Sequence, residues 1–375
     1  MIYPRDLLLP INHWLDKNEI IILYGARQVG KTTLLKELLK KKDDAIILNC
    51  ELPSVEDILE SKDLAQIKAL FEDNKIIALD EAQRISDIGS ILKLIYDELP
   101  QYKLIATGSS SFDLANKISE PLTGRNIKFR LYPLSLKEIK QGRNWLWIKE
   151  NLNDLLIYGT YPGIIDLSVP DKQAKLYELA SDYLFKDILM YENIKNSSLI
   201  RKLLKALALQ TGSQVSFNEL AGLLGVSRPT VEKYIDLFEK NFVIFKLPSY
   251  SSNLRNELRK SNKYFFYDTG IRNALIGDFK PLENRLDTGA LWENFCISQR
   301  LILSNVTRPN ARFYFWRTYD GAEIDLVEEY GGDLNVFEFK MKRKTRTRIP
   351  DSFVKKYKPA KAQTITPQNL FTLLD

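Results

Sequence analysis

The sequence predicts an α/β chain: a phosphate-loop core on a parallel sheet, then a helical linker, a winged helix-turn-helix and a small α/β domain. Three observations carry this expectation. A glycine-rich loop joins an apolar strand to a helix within residues 20–41, and a second apolar run ends in two carboxylates at 76–81. From residue 291 on, a helix and three strand-like runs place charged residues at strand periodicity.

The first strand is Ile20-Ile21-Ile22-Leu23-Tyr24 and the helix runs from Leu34 to Lys41. Between them Gly25-Ala26-Arg27-Gln28-Val29-Gly30-Lys31-Thr32-Thr33 fits G-x-x-x-x-G-K-[ST]. Glycines let successive backbone N–H groups curl around phosphates, Lys31 reaches the β/γ oxygens, and the Thr32 hydroxyl is offered to Mg²⁺ at the positive end of the helix. The segment therefore predicts binding of a nucleoside triphosphate. A second strand, Ala45-Ile46-Ile47-Leu48-Asn49, precedes the acidic one, Ile76-Ile77-Ala78-Leu79-Asp80-Glu81. Four apolar residues ending in carboxylates read as a buried parallel strand whose tip faces the ligand. Asp80 is expected on the Mg²⁺ side and Glu81 as the group that polarises water for attack on the γ-phosphate, which points to hydrolysis.

The order of these strands resembles that of the additional-strand P-loop ATPases, including the AAA+ class. In that class a polar residue at the tip of the next strand helps position the attacking water. Here Tyr102 to Ala106 runs into Thr107-Gly108-Ser109-Ser110-Ser111, so Thr107 or Ser109 would serve. Leu122-Thr123-Gly124-Arg125 precedes a further strand, Ile127 to Leu131, and Arg125 is expected as a γ-phosphate-sensing or finger arginine, because a planar, always-charged donor stabilises a transferring phosphoryl group. A surface arginine is the competing reading.

Composition narrows the chemistry. A chain of 375 residues holds two or three domains. Its single histidine, His13, excludes His-based triads and multi-His metal sites, while Cys50 and Cys296 lack metal-ligand spacing and suggest a reducing compartment. With no secretory pattern and no apolar run long enough to span a bilayer, a cytoplasmic chain without a membrane partner is expected. The net charge of +6 is uneven: Lys340 to Lys361 carries ten Lys/Arg against one acid, Asp351. Such a run suits a phosphate backbone or a solvated face equally.

Downstream, residues 134–199 read as a helical linker or lid, punctuated by Tyr158-Gly159-Thr160-Tyr161-Pro162-Gly163. Residues 200–250 read as the winged helix: a short helix from Ser216, a turn at Gly225-Val226, a second helix capped by Ser227, and the strand Phe242-Val243-Ile244-Phe245. Arg228 and Lys233 could face a groove, but Glu232, Asp236 and Glu239 oppose phosphates, so a packing role competes with DNA reading. In 251–375, Glu293 lies on a helix, Asp325 on a strand after the Asp320-Gly321 turn, and Glu338-Phe339-Lys340 on the next strand. Strand periodicity puts Glu338 and Lys340 on one face, where a hairpin partner could bring Asp325. This resembles the PD-(D/E)xK nuclease fold, which would bind a divalent ion and cleave a phosphodiester; chance alternation on an edge strand gives the same pattern.

Taken over nearly its full length, the chain resembles a prokaryotic family of predicted AAA+ superfamily ATPases with a C-terminal domain of unknown function. The matching residues are the phosphate loop, Leu79-Asp80-Glu81, Thr107 to Ser111, Gly124-Arg125 and Tyr132-Pro133-Leu134-Ser135, then Tyr161-Pro162-Gly163, Leu223 to Ser227 with Thr230-Val231 and Tyr234, Tyr267-Asp268-Thr269-Gly270, and Trp292-Glu293-Asn294-Phe295. The resemblance implies ATP and Mg²⁺ as cofactors and, within 1–133, an AAA+-type core. The expected function is ATP binding and hydrolysis that rearranges the winged-helix and nuclease-like domains, acting on DNA, RNA, a protein partner or a second copy. An ATP-dependent nuclease of defence or repair, and a slow-turnover nucleotide switch, are the alternatives.

Overall fold

In the computed structural model, which describes residues 1–108, 122–183, 197–251, 262–318, 320–342 and 349–374, the apolar runs of the first third become one parallel sheet. Its strands are β1 (Ile20–Tyr24), β2 (Ala45–Asn49), β3 (Ile76–Asp80), β4 (Lys103–Gly108) and β5 (Asn126–Arg130). The order is β2-β3-β4-β1-β5, every pairing parallel. β4 thus lies between the phosphate-loop strand and the acidic strand, as expected of an additional-strand ATPase. All five residues of β1 are buried, the pattern of a strand covered on both faces. The helix after the loop runs Lys31–Leu39, three residues earlier than its apolar periodicity suggests, because Lys31 and the two threonines begin the helix while serving the loop.

Chain contacts divide the molecule into two units. One comprises Arg5–Tyr132 with Lys240–Phe242; the other comprises Met1–Pro4, Pro133–Glu239 and Val243–Asp375. In the first, the Phe242 ring lies 5.8 Å from that of Tyr24 and 6.0 Å from that of Tyr132.

The second unit opens with a capping box: Ser135 Oγ accepts from the Glu138 amide while Glu138 returns a carboxylate oxygen to the Ser135 amide. Helices Ser197–Leu209, Phe217–Leu224 and Arg228–Lys240 accompany an antiparallel sheet of β6 (Gln214–Val215), β7 (Ile244–Leu247) and β8 (Asn262–Phe266), in the order β6-β8-β7. Leu203, Leu204, Ile235, Phe238, Ile244 and Phe266 share its core. Because β8 follows residue 250, the sheet begun within 200–250 is completed from beyond that boundary.

Tyr158-Gly159-Thr160 and Tyr267-Asp268-Thr269-Gly270 meet in the same unit. The buried Asp268 carboxylate accepts from the Thr160 amide at 2.7 Å and the Ile271 amide at 3.1 Å. A Cβ on Gly159 would stand 2.1 Å from an Asp268 oxygen, and Gly159 has φ +75°, so glycine is required there twice over. Burial raises the Asp268 carboxyl to about 6 despite these amide bonds.

The last sheet holds β9 (Arg312–Arg317), β10 (Glu323–Tyr330), β11 (Asp333–Phe339) and β12 (Lys361–Ile365), in the order β12-β11-β10-β9. β9, β10 and β11 pair antiparallel and β11 with β12 parallel. Between Ile324↔Trp316 and Val327↔Tyr314 the register shifts, so two residues of β10, Asp325 and Leu326, oppose Phe315 alone. The Phe315 backbone instead bonds the Pro248 carbonyl and the Tyr250 amide, at 2.9 and 2.6 Å. A bulge of this kind re-aims a side chain; here that side chain is Asp325.

Candidate functional site

The phosphate loop is shaped by what it lacks. A Cβ on Gly25 would stand 2.1 Å from the Leu131 carbonyl oxygen, and Gly30 at φ +98° begins the helix in a conformation that L side chains rarely adopt. The Lys31 ammonium, buried, donates to the carbonyls of Gly25 and Ala26, both at 3.1 Å. The loop's own carbonyls thereby hold the cation at its centre. From outside, the Arg5 guanidinium donates to the carbonyls of Val29 at 3.1 Å and Tyr132 at 2.6 Å. Val29 C=O and Gly30 N–H belong to one peptide plane and point opposite ways, so drawing the carbonyl outward aims the Gly30 amide inward. Sequence reading gave Arg5 no role, since its partners lie 24 and 127 residues away.

Asp80, at the tip of β3, is buried and accepts from two hydroxyls: Thr32 at 2.6 Å on one oxygen and Thr107 at 2.5 Å on the other. Thr107 Oγ also accepts from the Glu81 amide at 3.0 Å. One hydroxyl therefore ties the tip of β4 to both acidic residues. Of the two strand-tip candidates, Thr107 touches the acidic pair; Ser109 lies outside the described residues. Glu81 has φ +56°, unusual for a side chain of its size, and one of its carboxylate oxygens accepts from Gln83 at 2.5 Å. Strain of this kind costs about 1–3 kcal/mol and collects where a side chain must be aimed. Cys50 lies behind the pair, its thiol pushed up to about 12 by burial and by the Asp80 and Glu81 charges, so it remains an inert thiol.

Arg125 does not join this site. Its carbonyl accepts from the Ile20 amide at the first residue of β1, while the loop leaves the last residue of that strand. Five residues at about 3.3 Å each put roughly 16 Å between the two sheet edges. The guanidinium pairs instead with Asp97 at 3.1 Å, about one-third exposed. The expectation fails for a topological reason: strands of a parallel sheet all start at one edge, so a residue just before a strand lies away from the strand tips. Arg130, at the other end of β5, is in register with Tyr24 and bonds its hydroxyl at 3.2 Å.

The second unit does assemble the charged residues of its last sheet. Asp325 accepts from the Phe339 amide at 2.8 Å, and its own amide donates to Glu338 at 3.3 Å. The Lys340 ammonium stands 2.9 Å from Glu338 and 3.4 Å from Asp325. Burial, then the Asp325 charge, raises the Glu338 carboxyl, while the two carboxylates outweigh burial and hold the Lys340 ammonium above its usual range. The expected convergence of Asp325, Glu338 and Lys340 is thus present. Glu293 takes a partner the sequence did not suggest, Lys263 on β8, at 3.1 Å; the same ammonium stands 2.6 Å from Glu323. The adjoining Asn294 bonds both backbone groups of Phe266, so Glu293 and Asn294 dock their helix along β8, while the fully buried Trp292 donates to the Ile365 carbonyl at the end of β12. Of the basic run, Arg343, Lys344, Arg346 and Arg348 lie outside the described residues, and Lys340 is committed to the carboxylates.

Residues 17–140 match the family model of an AAA domain, and residues 149–282 and 288–372 match models of two domains of unknown function, DUF8612 and DUF4143. An uncharacterized protein of Mycobacterium tuberculosis is 29% identical over 345 residues, which cover 91% of this chain and 74% of that one. An uncharacterized protein of Haemophilus influenzae is 26% identical over 298 residues, 74% of each chain. Among solved structures, a Walker-type ATPase of Pyrococcus abyssi is similar, with a TM-score of 0.53 and 17% identity, over 73% of this chain and 96% of that one. Residues 17–140 are thus similar to an AAA domain, and the chain shares the fold of a P-loop ATPase. Among the described residues, no helix is long and apolar enough to cross a membrane.

Proposed function

We propose that this chain binds ATP with Mg²⁺ and hydrolyses it, using the energy to rearrange its C-terminal portion. The observation that supports this best is the Asp80 carboxylate, held by the Thr32 and Thr107 hydroxyls with Glu81 beside it. Mg²⁺ would neutralise charge on the phosphates, with Thr32 and Asp80 as the residues to hold it. The amides of residues 25–33 cradle the phosphates, and the Lys31 ammonium turns from the Gly25 and Ala26 carbonyls to the β/γ oxygens. Glu81 accepts a proton from the attacking water, and Thr107 fixes the tip of β4 against both acids. Glu81→Gln tests this: nucleotide binding should survive while phosphate release slows by roughly 10²–10⁴-fold, the worth of a general base. Parental turnover in that variant would remove Glu81 from the role.

Action on nucleic acid is the finer part of the proposal. The order helix-strand-helix-helix-strand-strand, closed as β6-β8-β7, supports a winged helix. Its second helix keeps Arg228 paired with Glu232 at 2.7 Å, which favours packing over base reading. Nucleic-acid affinity that falls steeply with salt would support a backbone contact; salt-insensitive affinity, or none, would leave a protein partner. A nuclease reading rests on the convergence of Asp325, Glu338 and Lys340, and Lys263 bears on it directly.

A further inference from the structure

A PD-(D/E)xK-like fold implies a divalent ion among its carboxylates, and the residues present do not fit one. Mg²⁺ demands several oxygens converging at about 2.0–2.1 Å in near-octahedral geometry. Here the groups between the carboxylates are ammoniums: Lys340 spans Glu338 and Asp325, and Lys263 spans Glu293 and Glu323. Backbone amides take further acceptor sites, since Asp325 Oδ2 accepts from the Phe339 amide and Glu338 Oε1 from the Asp325 amide. Among the described residues, no group of three or more His, Cys, Asp or Glu is placed to hold a metal.

We propose that Lys263 is the resident cation of this cluster: its ammonium, tethered to β8, takes the place of a divalent ion and makes the site a charge-paired joint. Lys263 is only 3% exposed and lies 5.4 Å over the Phe315 ring, so solvent neither screens nor replaces it. Phe315 is the residue opposite the bulge that carries Asp325. The lysine thus enters where the re-aimed carboxylate leaves the strand. A buried ammonium is retained only where opposite charges repay its desolvation, and the neighbouring carboxylates do so: they outweigh burial and keep Lys263 above its usual range. The joint covers a distance in sequence that local interactions do not, since the lysine precedes Glu293 by 30 residues.

The test uses the full chain carrying Asp80→Asn, which removes the phosphate-loop acid as a competing Mn²⁺ ligand. Mn²⁺ uptake is read from the signal of the free ion. This parent should take up no Mn²⁺ that depends on Asp325, whereas Lys263→Met should gain an affinity at least about 10-fold above it, lost again on Asp325→Asn. Asp325-dependent Mn²⁺ binding in the parent, or a folded Lys263→Met protein with no gain, would overturn the proposal. Should Lys263→Met fold poorly, a double-mutant cycle with Glu293→Gln decides. Removing both partners should restore part of the urea midpoint lost with the lysine alone, and strictly additive losses would count against the pairing.

Discussion

Two carboxylate sites in this molecule are built from the same residue types and finished differently. Asp80 is held by two neutral hydroxyls. Glu293, Glu323, Asp325 and Glu338 are held by the ammoniums of Lys263 and Lys340. Hydroxyls orient an acid without cancelling its charge, so Asp80 can still attract a cation from solution. An ammonium both orients and cancels; two of them offset half of four carboxylates. Burial raises the Glu293 carboxyl to about 8 and the Glu338 carboxyl above its usual range, which favours protons on the rest. The partner of an acid, more than the acid itself, tells a metal site from a joint.

The largest expected effect tests the first of these. Lys31→Ala should lower ATP turnover by about 10³-fold, since a buried charged donor to the transferring group is lost, with the melting transition little changed. A folded variant with parental turnover would remove the loop from the chemistry. Next, the two sites should respond oppositely to losing a charge. Lys263→Met leaves buried carboxylates uncompensated and should cost about 3–5 kcal/mol in urea unfolding, whereas Asp80→Asn should change stability by about 1 kcal/mol or less and lose Mg²⁺-dependent nucleotide binding. Equal stability losses would erase the distinction.

A third kind of acid lies between these extremes. Asp268 is bonded by amides alone, and burial raises it to about 6. Its folded value lies above the roughly 3.9 of an unfolded aspartate, so the folded chain holds this proton more tightly. The stability it contributes is complete below about pH 4 and is lost as pH rises through about 6. Urea midpoints measured from pH 4 to 7 should carry that downward contribution, and Asp268→Asn should flatten it. An unchanged slope in the variant would assign the pH dependence elsewhere. The smallest effect belongs to Arg125→Ala: its pair with Asp97, about one-third exposed, is worth about 0–1 kcal/mol, and turnover should stay within about 2-fold of the parent. A loss confined to turnover would restore it to the phosphate site.

The phosphate loop, the acidic strand and the order of the sheet were legible because they rest on local periodicity and fixed spacing. Asp325, Glu338 and Lys340 were legible for a related reason, since adjacent antiparallel strands with period two must bring such positions together. Arg125 was misread although the means to place it lay in the sequence: parallel strands share a starting edge, and it precedes one. Lys263 and Arg5 left no local trace, because each acts on partners remote in the chain and a lone basic residue has no periodicity. The glycines of the Tyr158 and Tyr267 segments read as turns, whereas Gly159 is small to admit the Asp268 carboxylate and Gly270 to admit the Tyr158 carbonyl.

Asn294 has a further consequence. Since Tyr267 donates to Val243 across to β7, the N–H and C=O of Phe266 face the other way, toward the side where β6 has already ended after two residues. There the Asn294 amide accepts from one and donates to the other, at 2.9 and 2.8 Å. A single side chain imitates one peptide of an absent neighbour, and the ladder ends on a group that cannot be extended. Asn294 and Phe266 are both fully buried, so this amide supplies the partners that water cannot bring to the Phe266 backbone where the ladder stops.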